Sequence, residues 1–175
     1  MNSEPDADFA ALVRRQSKFV FRVAYAVLLN SHDAEDVAQE TFLKLYRNRG
    51  WQQANNERAF LARVAWRVAV DLRARSLGTA STSADSALLD DEPSPNPGPD
   101  EVLLEADQHA RVHAMIDALP GELRMPLVLS AFDELNSREI GGILGIPEGT
   151  VRTRLQRARQ VLRQKLASIQ ETRYA

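Results

Sequence analysis

The chain contains no cysteine. That excludes disulfide scaffolds, thiolate zinc sites, iron–sulfur clusters and cysteine nucleophiles together. No apolar run approaches the ~18 residues that suggest a membrane span. The opening stretch Asn2 to Asp8 is acidic and polar, unlike a signal segment. The expectation is a cytoplasmic protein with no membrane insertion. Long Val/Ile/Thr-rich alternating runs are missing, so nothing nucleates a sheet, and no repeat of about 20 to 50 residues is visible. Basic charge is absent from one stretch: residues 76–107 hold 8 Asp+Glu and no Lys or Arg.

The 175 residues include 44% hydrophobic and 26% charged, inside the globular range and enough for one ordinary domain or two small ones. The net charge of −2 conceals an uneven distribution. Residues 1–75 carry 12 basic against 9 acidic side chains, and residues 108–175 carry 10 against 7. Two mildly basic blocks thus flank an acidic middle, an asymmetry that points to polyelectrolyte partners. The middle is rich in Ser, Pro and Asp and lacks helical periodicity, with Pro93, Pro95, Pro97 and Pro99 favouring extended backbone. It reads as a flexible acidic linker. The fold class expected is therefore all-α, two small helical domains (1–76 and 108–175) joined by linker 77–107.

In the first domain Phe9, Leu12, Val13, Val20, Val23 and Val27 recur at helical spacing, predicting a helix from about Asp6 to Leu29 with Asn30 as its left-handed stop. A second helix is expected from near Asp33, with Asp33 as its cap and Val37, Phe42 and Leu45 turned inward, ending before Gly50. A third runs from Glu57 to about Arg75 with Phe60, Val64, Val68 and Leu72 as its stripe. In the second domain a helix from about Asp100 stops near Leu119 and Pro120. Another covers roughly Glu122 to Phe132, with Pro126 tolerable only in or near its first turn. Asn136 and Glu139 form a capping-box pair opening a short helix to Leu144, and Gly145-Ile146-Pro147 turns the chain into a long helix from Glu148 to about Ser168. Short helix, glycine-containing turn and long basic helix have helix-turn-helix spacing.

At about 100° per residue, Val151, Leu155, Ala158 and Leu162 form one stripe of the last helix. Thr153, Gln156, Arg157 and Gln160 occupy the opposite side, flanked by Arg152, Arg159 and Arg163. Arg and Gln make bidentate contacts to guanine and adenine edges, whereas flanking arginines suit phosphates. The bland alternative is a solvated basic face. The acids Asp33, Glu35, Asp36 and Glu40 likewise have a bland reading, each favoured by up to about 1 kcal/mol at a helix N-terminus. Trp51 and Trp66 suit core or boundary packing better than base stacking. His109, His113 and Asp117 fall at four-residue steps but lack the companions of a metal centre, so no metal or other cofactor is expected.

The whole string from His32 to Tyr46 resembles the core-binding helix of bacterial sigma factors of the extracytoplasmic-function (ECF) group. The resemblance recurs at Leu119-Pro120, Arg124, Leu135, Glu139-Ile140, the run Ile143 to Pro147, the run Gly149 to Arg152, and Arg157-Ala158-Arg159, in the order of that family's promoter-recognising domain. The resemblance implies a factor that binds core RNA polymerase, at the β′ clamp helices and the β subunit, and directs it to promoter DNA in response to an extracytoplasmic or stress signal. An anti-sigma factor is a further partner it admits, and no catalytic residue is implied. By position, Asp33, Glu35, Asp36, Gln39 and Glu40 would meet the clamp helices. Asn55, Asn56, Arg63, Arg67 and Arg75 would recognise and melt the minus-ten element, and Arg152, Thr153, Gln156 and Arg157 would read the minus-thirty-five element. The linker would thread toward the active-site cleft and RNA exit channel. The chain departs from the family at Arg67, where Asn is common, at Trp66, where Arg is more usual, and at Gly141 and Gly142, which replace Ala and a polar helix former. The rival reading is a stand-alone helix-turn-helix regulator with an N-terminal interaction domain.

Overall fold

The computed structural model describes residues 3–80, 100–131 and 135–174. All regular structure in them is helical: α1 (Ser3–Leu28), α2 (Ser31–Asn48), α3 (Glu57–Ala80), α4 (Asp100–Asp117), α5 (Gly121–Ser130), α6 (Ser137–Leu144) and α7 (Glu148–Tyr174), with a 3₁₀ turn over Gly50–Gln53. Of the linker expected over 77–107, residues 77–80 continue α3 and residues 100–107 open α4, so the linker is shorter at both ends than its composition suggested, and the Ser/Pro-rich stretch 81–99 lies outside the described residues. Among those described, no helix is long and apolar enough to cross a membrane.

Helices α1, α2 and α3 pack pairwise into an N-terminal unit, and α5, α6 and α7 do so in the C-terminal half, with α4 laid on α7. Leu12, Val20, Val23 and Val27 of α1 are buried, in line with the stripe read from their spacing. The α1–α2 corner differs from expectation. Leu29, not Asn30, takes the left-handed conformation (φ 53°). Asn30 is extended instead and caps α2, its side chain accepting the N–H of Asp33. A cap needs β-region backbone and an oxygen aimed at the free N–H groups, and Asn30 supplies both. The end of α2 repeats the device, Arg49 (φ 48°) being left-handed ahead of Gly50.

The stripe of α3 is also displaced from expectation. Leu61, Ala62, Ala65, Val68 and Ala69 form its most buried ridge, whereas Phe60, Val64 and Leu72 pack at the margins. Because α1, α2 and α6 all lie against α3, its covered arc is wide, and small residues occupy the closest approach. In α5, Pro126 sits beyond the first turn, inside the helix and fully buried. The missing N–H removes one intrahelical bond, and the buried ring makes apolar contact in exchange.

The two halves share their main core, and a second, small cluster of Leu119, Leu123 and Ala158 belongs to the C-terminal half alone. Met125, Leu129, Leu135, Ile140, Ile143, Val151 and Leu155 belong to one buried cluster with residues of α1, α2 and α3, and α5 lies on α1 while α6 lies on α3. Arg124 is the polar pin of this junction. Only 6% exposed, it donates through Nε to the Ala26 carbonyl (2.8 Å) and through Nη1 to the carbonyls of Asp117 and Leu119 (2.8 Å each). These three acceptors lie at the end of α1 and the end of α4, so one guanidinium fork satisfies helix termini from both halves. Burial pushes its pKa down, with Asp117 acting in the opposite direction.

Candidate functional site

The helix-turn-helix forms as its sequence dictates. Asn136 accepts the N–H groups of Arg138 and Glu139 (3.0 Å each), and Glu139 Oε2 accepts the N–H of Asn136 (2.8 Å), completing the capping box. Helix α6 ends at Gly145, whose φ of 69° suits glycine. Gly141 has a different task. A Cβ there would lie 2.7 Å from the Ile146 carbonyl oxygen, so the turn between α6 and α7 closes only over a residue without a side chain. Val151, Leu155 and Ala158 are buried, and Arg152, Thr153, Gln156 and Arg157 are all exposed on the other side of α7. Arg152 pairs with Glu148, and Thr153 donates its hydroxyl to the Gly149 carbonyl (3.0 Å). This face offers exposed guanidinium, amide and hydroxyl groups on one rigid helix, suited to a major groove.

On α2 the five expected residues divide between two directions. Glu35 and Gln39 line an apolar groove of about 830 Å³ bounded by α1, α2, α4 and α5, with Lys18, Arg22, His113 and Asp117 at its walls. Asp36 and Glu40 stand in solvent-facing intrahelical pairs, Asp36 with His32 (3.9 Å) and Glu40 with Lys44 (3.7 Å). Asp33 is half-buried at the first turn. Sequence reasoning missed Leu43. It is 49% exposed although apolar, and helical spacing sets it beyond Asp36 and Glu40. The available signal was an apolar residue outside the buried spacing of Val37, Phe42 and Leu45. Tyr46, also exposed, is tied to α1 through Asp6 (3.2 Å) and the Phe9 ring (5.1 Å). Trp51 packs at the edge of the same aromatic group, 6.0 Å from Phe9.

The third cluster lies at the start of α3. Asn55, Arg63, Arg67 and Arg75 are exposed, and Asn56 is half-buried. Asn56 caps α3, its Oδ1 accepting the Ala59 N–H (3.1 Å). The next residue, Glu57, is fixed by Arg15, whose Nε (3.2 Å) and Nη2 (2.6 Å) grip the two carboxylate oxygens, and by Gln16 (2.7 Å). The Arg15 bond, ahead of the Gln16 bond, holds the Glu57 carboxyl below its ordinary pKa, with burial opposing. The loop carrying Asn55 and Asn56 is thereby tied to α1. No group of three or more His, Asp or Glu able to hold a metal ion occurs among the described residues.

Two sigma-70 family profiles match the chain, Sigma-70 region 2 over residues 12–77 and Sigma-70, region 4 over residues 109–162. The ECF RNA polymerase sigma factor SigW of Bacillus subtilis is 31% identical over 172 residues, the alignment covering 92% of this chain and 90% of SigW. The chain belongs to the ECF sigma factors. The ECF RNA polymerase sigma factor SigE of Mycolicibacterium smegmatis is 36% identical over 156 residues, or 89% of this chain and 60% of that longer protein. Among solved structures, the sigma factor RpoE in complex with the anti-sigma factor NepR from Bartonella quintana shares the fold (TM-score 0.66, 18% identity, 91% of this chain and 97% of that one). So does CnrH in complex with the cytosolic domain of CnrY (TM-score 0.61, 22% identity, 95% of this chain and 92% of that one). Sigma factors are regulatory and act in promoter-specific initiation by RNA polymerase, and this family membership replaces the stand-alone regulator reading.

Proposed function

We propose that this ECF sigma factor divides its work among the three clusters. Asp33, Glu35, Asp36, Gln39 and Glu40, joined by Leu43, dock α2 on the β′ clamp helices of core RNA polymerase. Asn55, Asn56, Arg63, Arg67 and Arg75 engage and melt the minus-ten element, and Arg152, Thr153, Gln156 and Arg157 read the minus-thirty-five element. The working division follows residues 1–76 and 108–175, and the chain itself performs no catalysis. The protein works in the cytoplasm, where its polymerase and DNA are found, and an extracytoplasmic or stress signal acts through an anti-sigma factor as the third partner.

One observation carries the reading: the exposed Arg152, Thr153, Gln156 and Arg157 face, opposite buried Val151, Leu155 and Ala158, on the second helix of a helix-turn-helix. Arg152→Ala and Arg157→Ala should lower run-off transcription from the cognate promoter while leaving core binding intact. A lost bidentate base contact weakens promoter binding by about 1 to 3 kcal/mol. Transcription by both variants at the wild-type rate and with the wild-type salt dependence would remove α7 from promoter reading.

A further inference from the structure

The exposed side of α1 is chemically uniform. From Phe9 to Leu28 its exposed residues are Arg14, Arg15, Lys18 and Arg22, and every other position is buried or half-buried. No Asp or Glu occurs in that stretch. At about 100° per residue the four bases fall within an arc of roughly 100°, opposite the buried Leu12, Val20 and Val23. Arg14, Lys18 and Arg22 follow one another at four-residue steps, about 6 Å apart along the axis, so the row is about 12 Å long. Among the described residues Arg14 and Lys18 form no ion pair. The basic surface continues onto α3. Arg15 grips Glu57 in the first turn of α3, and Arg58 lies over the Phe19 ring of α1, 5.6 Å from its centroid. Glu57 and Arg58 directly follow Asn55 and Asn56, so the row on α1 adjoins the loop assigned to the minus-ten element. On its other side Lys18 and Arg22 edge the apolar groove, where Glu35 and Asp117 also stand. Those two carboxylates repel a polyanion from the groove and leave it the outer face of α1.

We infer that Arg14, Lys18 and Arg22 form a sequence-independent track for the phosphate backbone of the promoter strand that enters at the minus-ten loop. The inference rests on the minus-ten reading above for where that strand enters. A protein partner is met by an apolar or aromatic centre with charge at its rim, and the exposed arc of α1 carries charge alone. A phosphate chain asks for nothing more. Evenly spaced cations each neutralise one phosphate and release its counterions. Arginine and lysine both serve in such a row, because phosphate contacts position the duplex or strand and do not read it. The track therefore adds affinity to every promoter alike and leaves the choice among promoters to the minus-ten loop and α7.

The test combines Arg14→Gln, Lys18→Gln and Arg22→Gln in one chain, which removes the charge from three exposed positions. Holoenzyme assembled with core polymerase is titrated onto a labelled promoter fragment across about 50 to 200 mM salt. The triple variant should bind more weakly at low salt. Its plot of log affinity against log salt should be shallower by about 2, each lost phosphate contact contributing ~0.7 to 0.9. Lys18→Gln alone should flatten the plot by a little under ~1. The loss should be equal on the cognate promoter and on one with substituted minus-ten bases, with melting temperature and core retention at wild-type values. A wild-type salt slope in both variants overturns the inference and leaves a solvated basic face. Loss of core retention also overturns it, because the row then meets polymerase and not DNA. Asn55→Ala separates the track from the minus-ten reading. Asn55 is exposed, whereas Asn56 caps α3 and donates through Nδ2 to Glu139 Oε1 at 2.8 Å, so changing Asn56 would disturb structure as well. If Asn55→Ala keeps the minus-ten preference while the triple variant flattens the slope, the minus-ten assignment fails and the track stands. If Asn55→Ala abolishes the preference while the triple variant keeps the wild-type slope, the track fails and the assignment stands.

Discussion

At the scale of single residues, Glu57 shows how a modest interaction can position a functional loop. It receives a fork from Arg15 and an amide from Gln16, an anchor one residue from Asn56. Arg15 is half exposed, so solvent screening keeps the energy small. Glu57→Gln should reduce stability at neutral pH by no more than about 1 kcal/mol. Because the folded carboxyl titrates below its ordinary value of 4.5, the stabilisation is complete above that pH. It disappears as pH falls through the lowered value. Thermal melts of wild type and Glu57→Gln should therefore differ at pH 7 and draw together as the pH falls through the lowered value, below 4.5. A gap that widens on acidification would show that Glu57 does not act through its charge.

At the scale of elements, α6 shows that two adjacent glycines can have opposite roles. Both are expected to weaken the helix by roughly 1 kcal/mol relative to Ala, and for Gly142 nothing in the structure opposes that, since a Cβ meets only Arg63 at ordinary contact distance. For Gly141 the backbone oxygen of Ile146 is too close. Gly142→Ala should hold or raise the melting temperature, and Gly141→Ala should lower stability by about 1 to 3 kcal/mol. Equal shifts in both variants would refute the tight-turn account. Helix α2 supplies a second contrast. Among the described residues the ion pairs of Asp36 and Glu40 are exposed and intrahelical, so Asp36→Arg and Glu40→Arg should change stability by no more than about 0.5 kcal/mol. Against a basic polymerase surface, however, the reversals should weaken association by several kcal/mol. Pull-down of core polymerase by folded variants decides the matter, and undiminished retention by both would sink the docking assignment.

At the scale of the whole molecule, the shared core couples the halves. Leu129 of α5 is fully buried in the cluster that includes Leu12, Val20 and Leu61. Leu129→Ala should cost about 2 to 5 kcal/mol, and amide exchange should speed up in α1 and α7 together, because the lost packing belongs to both. Faster exchange confined to α5, α6 and α7 would mean that the halves unfold independently.

What the sequence determined by itself is local. Apolar spacing marked the buried sides of α1 and α7, Asn136 and Glu139 specified the start of α6, Gly145 its end, and the exposed face of Thr153, Gln156 and Arg157, with Arg152 on its flank, followed from about 100° per residue. These features depend on neighbours within a turn or two, which is the range over which sequence pattern acts. The corner at Leu29 and Asn30 was misjudged because Asn suits both a left-handed stop and a helix cap, and here it caps α2 while Leu29 takes the left-handed conformation. The α3 ridge of Leu61, Ala65 and Ala69 was obscured because three helices cover it and no single stripe stands out. Asn56 meeting Glu139, Arg124 reaching Ala26 and Arg63 lying over Gly142 were decided only by tertiary structure. Each joins residues dozens of positions apart, and no local preference of either partner encodes which distant partner the folded core will bring within hydrogen-bonding distance.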